Sequence, residues 1–116
     1  MIVLLLQWGA YGQSKTANIL HALEFNRRHA AEGIIALSLH PGVIETELWR
    51  HAGLVFKMNK TVPQGAATSV FCCVSPTVKG GYFYNDCQEQ APNDWANDAV
   101  AAATLWDLSL AVTSEK

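Results

Sequence analysis

The sequence predicts an α/β fold, and three observations carry that expectation. Good helix formers run from Ala10 to about Ala31, a nearly unbroken apolar stretch "IIALSL" occupies Ile34 to Leu39, and Pro41 with Gly42 turns the chain directly afterwards. A helix leading into a strand that is apolar on both sides is half of an α/β unit built on a parallel sheet. The turn then falls at the C-terminal end of the strand, where open α/β sheets bind their ligands.

Each element has its own signature. In the first helix Ile19, Leu20, Ala22, Leu23 and Phe25 form a broad apolar face. Arg27, Arg28 and His29 place positive charge at its C-terminal end, and Gly33 suits the left-handed residue that ends such a helix. Residues 45–58 have Leu48, Ala52, Val55 and Phe56 at helical spacing. Thr61 ahead of Val62 and Pro63 signals a helix start, and that run extends to Val74 before Pro76. "GGYFYN", Gly80 to Asn85, reads as a second strand led in by a glycine turn. Asp94 is the expected cap of a last helix through about Leu110, with Ala99, Ala102, Trp106 and Leu110 on one side. No repeat, linker or low-complexity tract divides the 116 residues, so a single domain, 1–116, is expected.

Composition narrows the function. Half of the residues are apolar and 16% are charged, against about 25% in ordinary soluble domains, so the chain is rich in surface to bury and poor in charge to cover it. The net charge of −2, without a basic cluster, argues against nucleic acid as a partner. Three cysteines, two of them adjacent as Cys72 and Cys73, match neither a metal clip nor an even disulfide framework; reduced, buried thiols are expected, as in a cytoplasmic protein. His21, His29, His40 and His51 lack metal-ligand spacing, so no metal is expected. The opening "MIVLLL" is far shorter than the roughly 20 residues that span a bilayer, and neither a signal peptide nor a membrane span is expected.

One spacing carries chemistry. In "YGQSK" Tyr11 stands four residues ahead of Lys15, and residues four apart on a helix share a face at about 5–6 Å. A phenol, with an ordinary pKa of about 10, is a poor base at neutral pH, and a nearby ammonium favours its phenolate. Such a pair can pass a proton to or from an alcohol or carbonyl while hydride moves to or from a nicotinamide. By itself the pattern is weak, because ordinary residue frequencies produce it in roughly one chain in five of this length.

Its company is more specific. "AYGQSKTANILHALE", then a buried-type strand, then "LHPGVIETELWRH", "VPQGAATSVF", "GGYFYNDC" and "ATLWDLS" resemble the short-chain dehydrogenase/reductase family, in its retinol-dehydrogenase-like and WW-domain-oxidoreductase-like branch. The resemblance covers residues 8–116 and leaves 1–7 as a start outside it. It implies the C-terminal half of a doubly wound, Rossmann-type parallel sheet with NAD or NADP as cofactor. It implies that Tyr11 is the general acid/base and that Lys15 activates it and bonds the nicotinamide ribose. Pro41, Gly42, Val43 and Ile44 resemble the turn facing the nicotinamide, and Thr46 a hydroxyl contacting its carboxamide or the phosphates. Residues 47–58 resemble a lid over the substrate, with Leu48, Trp49 and Phe56 as its apolar wall. A small apolar alcohol or carbonyl is then the expected substrate, and the Tyr11–Lys15 helix a surface for homo-oligomers.

The sequence departs from that family in its first half. No glycine-rich turn for the pyrophosphate is found, and "MIVLLLQWGA" holds no serine ahead of Tyr11. The N-terminal cofactor half is therefore read as absent and the chain as inactive alone, with a partner-dependent, non-enzymatic fragment as the alternative. Residues 2–6 are offered as a strand filling the vacated place beside Ile34 to Leu39.

Overall fold

A computed structural model describes residues 2–44 and 60–114, with side chains from residue 9 onward. The elements, in chain order, are α1 (Ile2–His29), β1 (Ser38–His40), α2 (Val62–Val74), β2 (Phe83–Asn85), β3 (Gln88–Gln90) and α3 (Ala99–Thr113), with single 3-10 turns at Ala30–Glu32 and Asp94–Ala96. The described residues cluster into two compact units, residues 2–38, 79–82 and 91–114 in the first and 39–44, 60–78 and 83–90 in the second.

In the first unit α1 packs on α3. Leu20 and Ala102 are buried there, as is Ala96 in the 3-10 turn. His21, Phe25 and His29, one turn apart along α1, meet Trp106 with ring centroids at 5.3, 5.9 and 6.3 Å. Arg28 adds a guanidinium 5.0 Å from the same indole. α1 ends as its sequence indicates, with Arg27, Arg28 and His29 in the last turn and Gly33 left-handed at φ 80° after the 3-10 turn.

α1 begins earlier than Ala10, and this overturns the placement of residues 2–6 as a strand. Those residues are helical: an unbroken run of long apolar side chains fits either structure, and continuity with the strong helix behind it decides the matter. α3 also differs from expectation. Asp98 rather than Asp94 caps it, accepting the Val100 and Ala101 N–H groups at 2.8 and 3.1 Å, and the helix continues to Thr113. Trp106 meets α1 and Ala102 is buried, whereas Ala99 and Leu110, expected on the same side, are exposed.

The sheet has the order β1-β2-β3. The Gly81 N–H donates to the Ala36 carbonyl at 2.7 Å and the Ser38 N–H to the Tyr82 carbonyl at 3.1 Å, so β1 and β2 advance side by side in the parallel sense. β2 and β3 are antiparallel, with Tyr84 opposite Glu89. The parallel sheet expected from the sequence is therefore mixed. Asp86 and Cys87, at φ 50° and 58°, make a two-residue hairpin whose central residues are both left-handed; lacking the usual Asn-Gly or Asp-Gly pair, the turn is hard to read in advance. The strand expected at Ile34 to Leu39 is shortened to Ser38–His40, and Ile34 and Ile35 are exposed, because β1 lies at a sheet edge.

Asn26 holds the strand entrance within the first unit. Its Oδ1 accepts the Ala36 N–H at 3.2 Å, and a Cβ on Gly80 would lie 1.8 Å from that same oxygen. In the second unit α2 packs on β2, with Phe71 against Tyr84 at 6.1 Å. α2 starts at Val62 as its sequence indicates, and Gln64 Oε1 turns back to accept the Thr61 N–H at 2.8 Å. A Cβ on the buried Gly65 would lie 2.1 Å from Ile44 Cδ1, so this glycine lets helix and turn approach closely.

Candidate functional site

Tyr11 and Lys15 lie on one face of α1, and the Lys15 ammonium is 5.3 Å from the Tyr11 ring centroid. This distance is within the range of a cation over an aromatic face. The pair is open to solvent, Tyr11 being 56% exposed. Around it the small polar residues turn inward to the helix: Ser14 Oγ donates to the Tyr11 carbonyl at 2.7 Å and Thr16 Oγ1 to the Gly12 carbonyl at 3.0 Å. Among the described residues, Cβ atoms added at Gly9 or Gly12 would meet nothing within 4 Å.

At the other end of α1 Glu24 is 1% exposed. Arg27 donates to both its oxygens at 2.7 and 2.6 Å, and Arg28 to one at 2.6 Å. The Arg27 hydrogen bonds hold its carboxyl down at about 2; burial opposes this, and the Arg28 hydrogen bond and both positive charges reinforce it.

Pro41, Gly42, Val43 and Ile44 follow β1, where the sequence places a ligand-facing turn, and all four are half-buried. Gly42 has φ 94°, and a Cβ there would lie 2.6 Å from Lys60 Cδ. Lys60 spans this turn: its ammonium donates to the Pro41 carbonyl at 3.3 Å and pairs with Asp86 of the hairpin, while Ile44 and Lys60 form a parallel bridge. The sequence reading missed Lys60 and Asp86. They stand 26 residues apart, and only the left-handed turn at Asp86 brings that carboxylate round to the lysine. Thr46, Leu48, Trp49 and Phe56 lie outside the described residues, as does the segment 45–58.

Of the expected site residues, the structure brings Tyr11 and Lys15 together in the first unit and Pro41 to Ile44 together in the second. The cysteines are only partly buried: Cys72 and Cys87 are half-buried and Cys73 is exposed, all as free thiols. No group of three His, Cys, Asp or Glu side chains suited to a metal is found among the described residues. Among them, too, no helix is long and apolar enough to cross a membrane.

No family model matches the chain, and no solved structure does. Curated proteins match it closely, and they are short-chain oxidoreductases. The chain is 42% identical, over 87% of its length, to the short-chain dehydrogenase TIC 32 B, chloroplastic, of Brassica napus. It is 36% identical over 92% to the WW domain-containing oxidoreductase of Danio rerio and 35% over 85% to the human retinol dehydrogenase 14. The chain belongs to the short-chain dehydrogenase/reductase family. It covers 35%, 28% and 33% of these three relatives, about a third of their length, and its mixed α/β structure is accordingly a partial Rossmann-type fold.

Proposed function

We propose that this chain carries the nicotinamide-side half of an NAD(P)-dependent oxidoreductase acting on a small apolar alcohol or carbonyl. The observation that supports this reading is the Tyr11–Lys15 pair on one helix face, with the ammonium 5.3 Å from the phenol ring. One feature suits a nicotinamide cofactor: an exposed cation beside a phenol. The rest of the dinucleotide finds no such match, because among the described residues no glycine turn opens a helix toward a pyrophosphate.

When bound, the cofactor supplies or accepts hydride. Tyr11 would give a proton to the substrate oxygen, or take one from it, through its hydroxyl, and Lys15 would bind the ribose. Pro41 to Ile44 would border the nicotinamide end of the cofactor; Thr46, Leu48, Trp49 and Phe56, for which the family resemblance implies a cofactor hydroxyl and an apolar wall, lie outside the described residues. In isolation the chain is a half-site with little or no turnover, since positioning of both reactants supplies much of such a rate.

Thermal-shift titration of the purified chain with NADH and NADPH tests this reading. Saturable stabilisation is expected, weakened at least about tenfold, or ~1.4 kcal/mol, by Lys15→Ala. An unchanged melting temperature at millimolar dinucleotide contradicts it.

A second reading, a non-enzymatic fragment that folds or functions only with a partner, is favoured by exposed Val62, Val70, Val74, Val100, Leu108 and Val112. The Tyr11–Lys15 helix is the proposed self-association surface. This reading predicts association whatever the cofactor does.

A further inference from the structure

Thr68 is buried on α2, and its Oγ1 accepts the Cys87 N–H at 3.3 Å while lying 3.9 Å from the Cys87 sulfur. Cys72 follows Thr68 by one helical turn on the same face, which brings their Cβ atoms to about 5–6 Å. Cys87, half-buried in the hairpin turn, borders this hydroxyl, and Cys72, half-buried on α2, stands one turn from Thr68 along the same helix face. Cys73 is rotated about 100° around the helix from Cys72 and is exposed. Burial pushes the Cys72 thiol up, and the neighbouring thiols of Cys73 and Cys87 act in the same direction. Cys87 lies in the wall of an open cavity of ≈ 310 Å³ formed with Lys60, Gln64, Ala67, Thr68 and Asp86, a route by which a small oxidant reaches it.

We propose that Cys87 and Cys72 are an oxidisable pair, which a hydroperoxide converts into a disulfide tying α2 to the turn of the β2–β3 hairpin. In the first step the Cys87 sulfur attacks one peroxide oxygen, the O–O bond breaks, and a sulfenic acid and one water (an alcohol from an organic peroxide) result. In the second step the Cys72 sulfur attacks the Cys87 sulfur, the S–O bond breaks, and the departing hydroxide leaves as water with the Cys72 proton. The two thiols together lose two electrons and two protons, and the peroxide takes up both. A disulfide spans Cα atoms up to about 7 Å apart, the reach this pairing requires of Cys72 and Cys87. Nothing in this inference depends on the dehydrogenase reading.

The test treats the full chain with stoichiometric hydrogen peroxide, alkylates the remaining thiols and maps the peptides by mass spectrometry. The expected product is an intramolecular cross-link between the Cys72–Cys73 peptide and the Cys87 peptide, reversed by dithiothreitol. It should survive Cys73→Ser and vanish in Cys72→Ser and Cys87→Ser. Should a variant fail to fold, fragmentation of the wild-type cross-linked peptide, which assigns the link to Cys72 or to Cys73, decides the matter. Free thiols in the folded chain, a cross-link lost in Cys73→Ser, or a purely intermolecular disulfide would overturn the proposal.

Discussion

A carboxylate as shielded as that of Glu24 is tolerated only where its oxygens are bonded, and Arg27 and Arg28 both donate to it. Its ordinary value is 4.5 and its folded value about 2, so the unfolded chain binds this proton more tightly. The stabilisation is then complete above 4.5 and is lost as pH falls from there toward 2. Glu24→Gln should lower the urea midpoint at neutral pH and flatten the acid-induced loss of stability in that window, as followed by circular dichroism; an unchanged pH profile contradicts the assignment. Asn26 acts through geometry instead of charge. Gly80→Ala should displace its amide and strand the Ala36 N–H, at a cost of ~1–3 kcal/mol in urea unfolding. Asn26→Ala should cost a similar amount, and the double variant less than the sum. Spacing shows that Glu24, Arg27 and Arg28 share a helix face. It gives no hint that Asn26 reaches a backbone ten residues away, since a lone asparagine in a helix has no period to betray it.

Elements whose signals are local were legible. α2 begins where Thr61, Pro63 and Gln64 indicate, and α1 ends at its basic turn and Gly33. Where two candidates compete, the sequence misleads. Asp94 and Asp98 are both plausible caps, and Asp98 prevails because its carboxylate reaches two free N–H groups. Asp98→Ala should therefore destabilise the first unit by ~0.5–2 kcal/mol in thermal or urea unfolding, whereas Asp94→Ala should have a smaller effect. The hairpin was illegible for a different reason. Gln88–Gln90 is polar and exposed throughout, so no alternation marks it as a strand, and its turn relies on left-handed Asp86 and Cys87 in place of glycine. With the turn hidden, the Asp86–Lys60 pair across the Pro41–Gly42 turn was hidden as well.

Across the whole chain, apolar content exceeds what the described residues bury. Leu20, Tyr84, Ala96 and Ala102 are the buried apolar side chains among them, while twelve large apolar residues are exposed, from Tyr11 to Val112. The low charge content and the strand left at a sheet edge point the same way: these surfaces suit burial against further protein. Sedimentation of the chain alone should therefore show concentration-dependent association, and a monodisperse monomer at high concentration would contradict this. The family was legible because its motifs are contiguous in sequence, "YGQSK" and "HPGVIET". The mixed sheet was not, because it depends on how distant strands pair.

The proposal with most at stake is that Tyr11 and Lys15 on α1 meet a nicotinamide cofactor. Its most direct test is a titration of the isotope-labelled chain with NADPH, and separately with NADH, followed by amide NMR. Saturable shifts centred on Tyr11 and Lys15, and lost in Lys15→Ala, are the predicted result. Shifts scattered elsewhere, or none in a folded chain at millimolar dinucleotide, would contradict it.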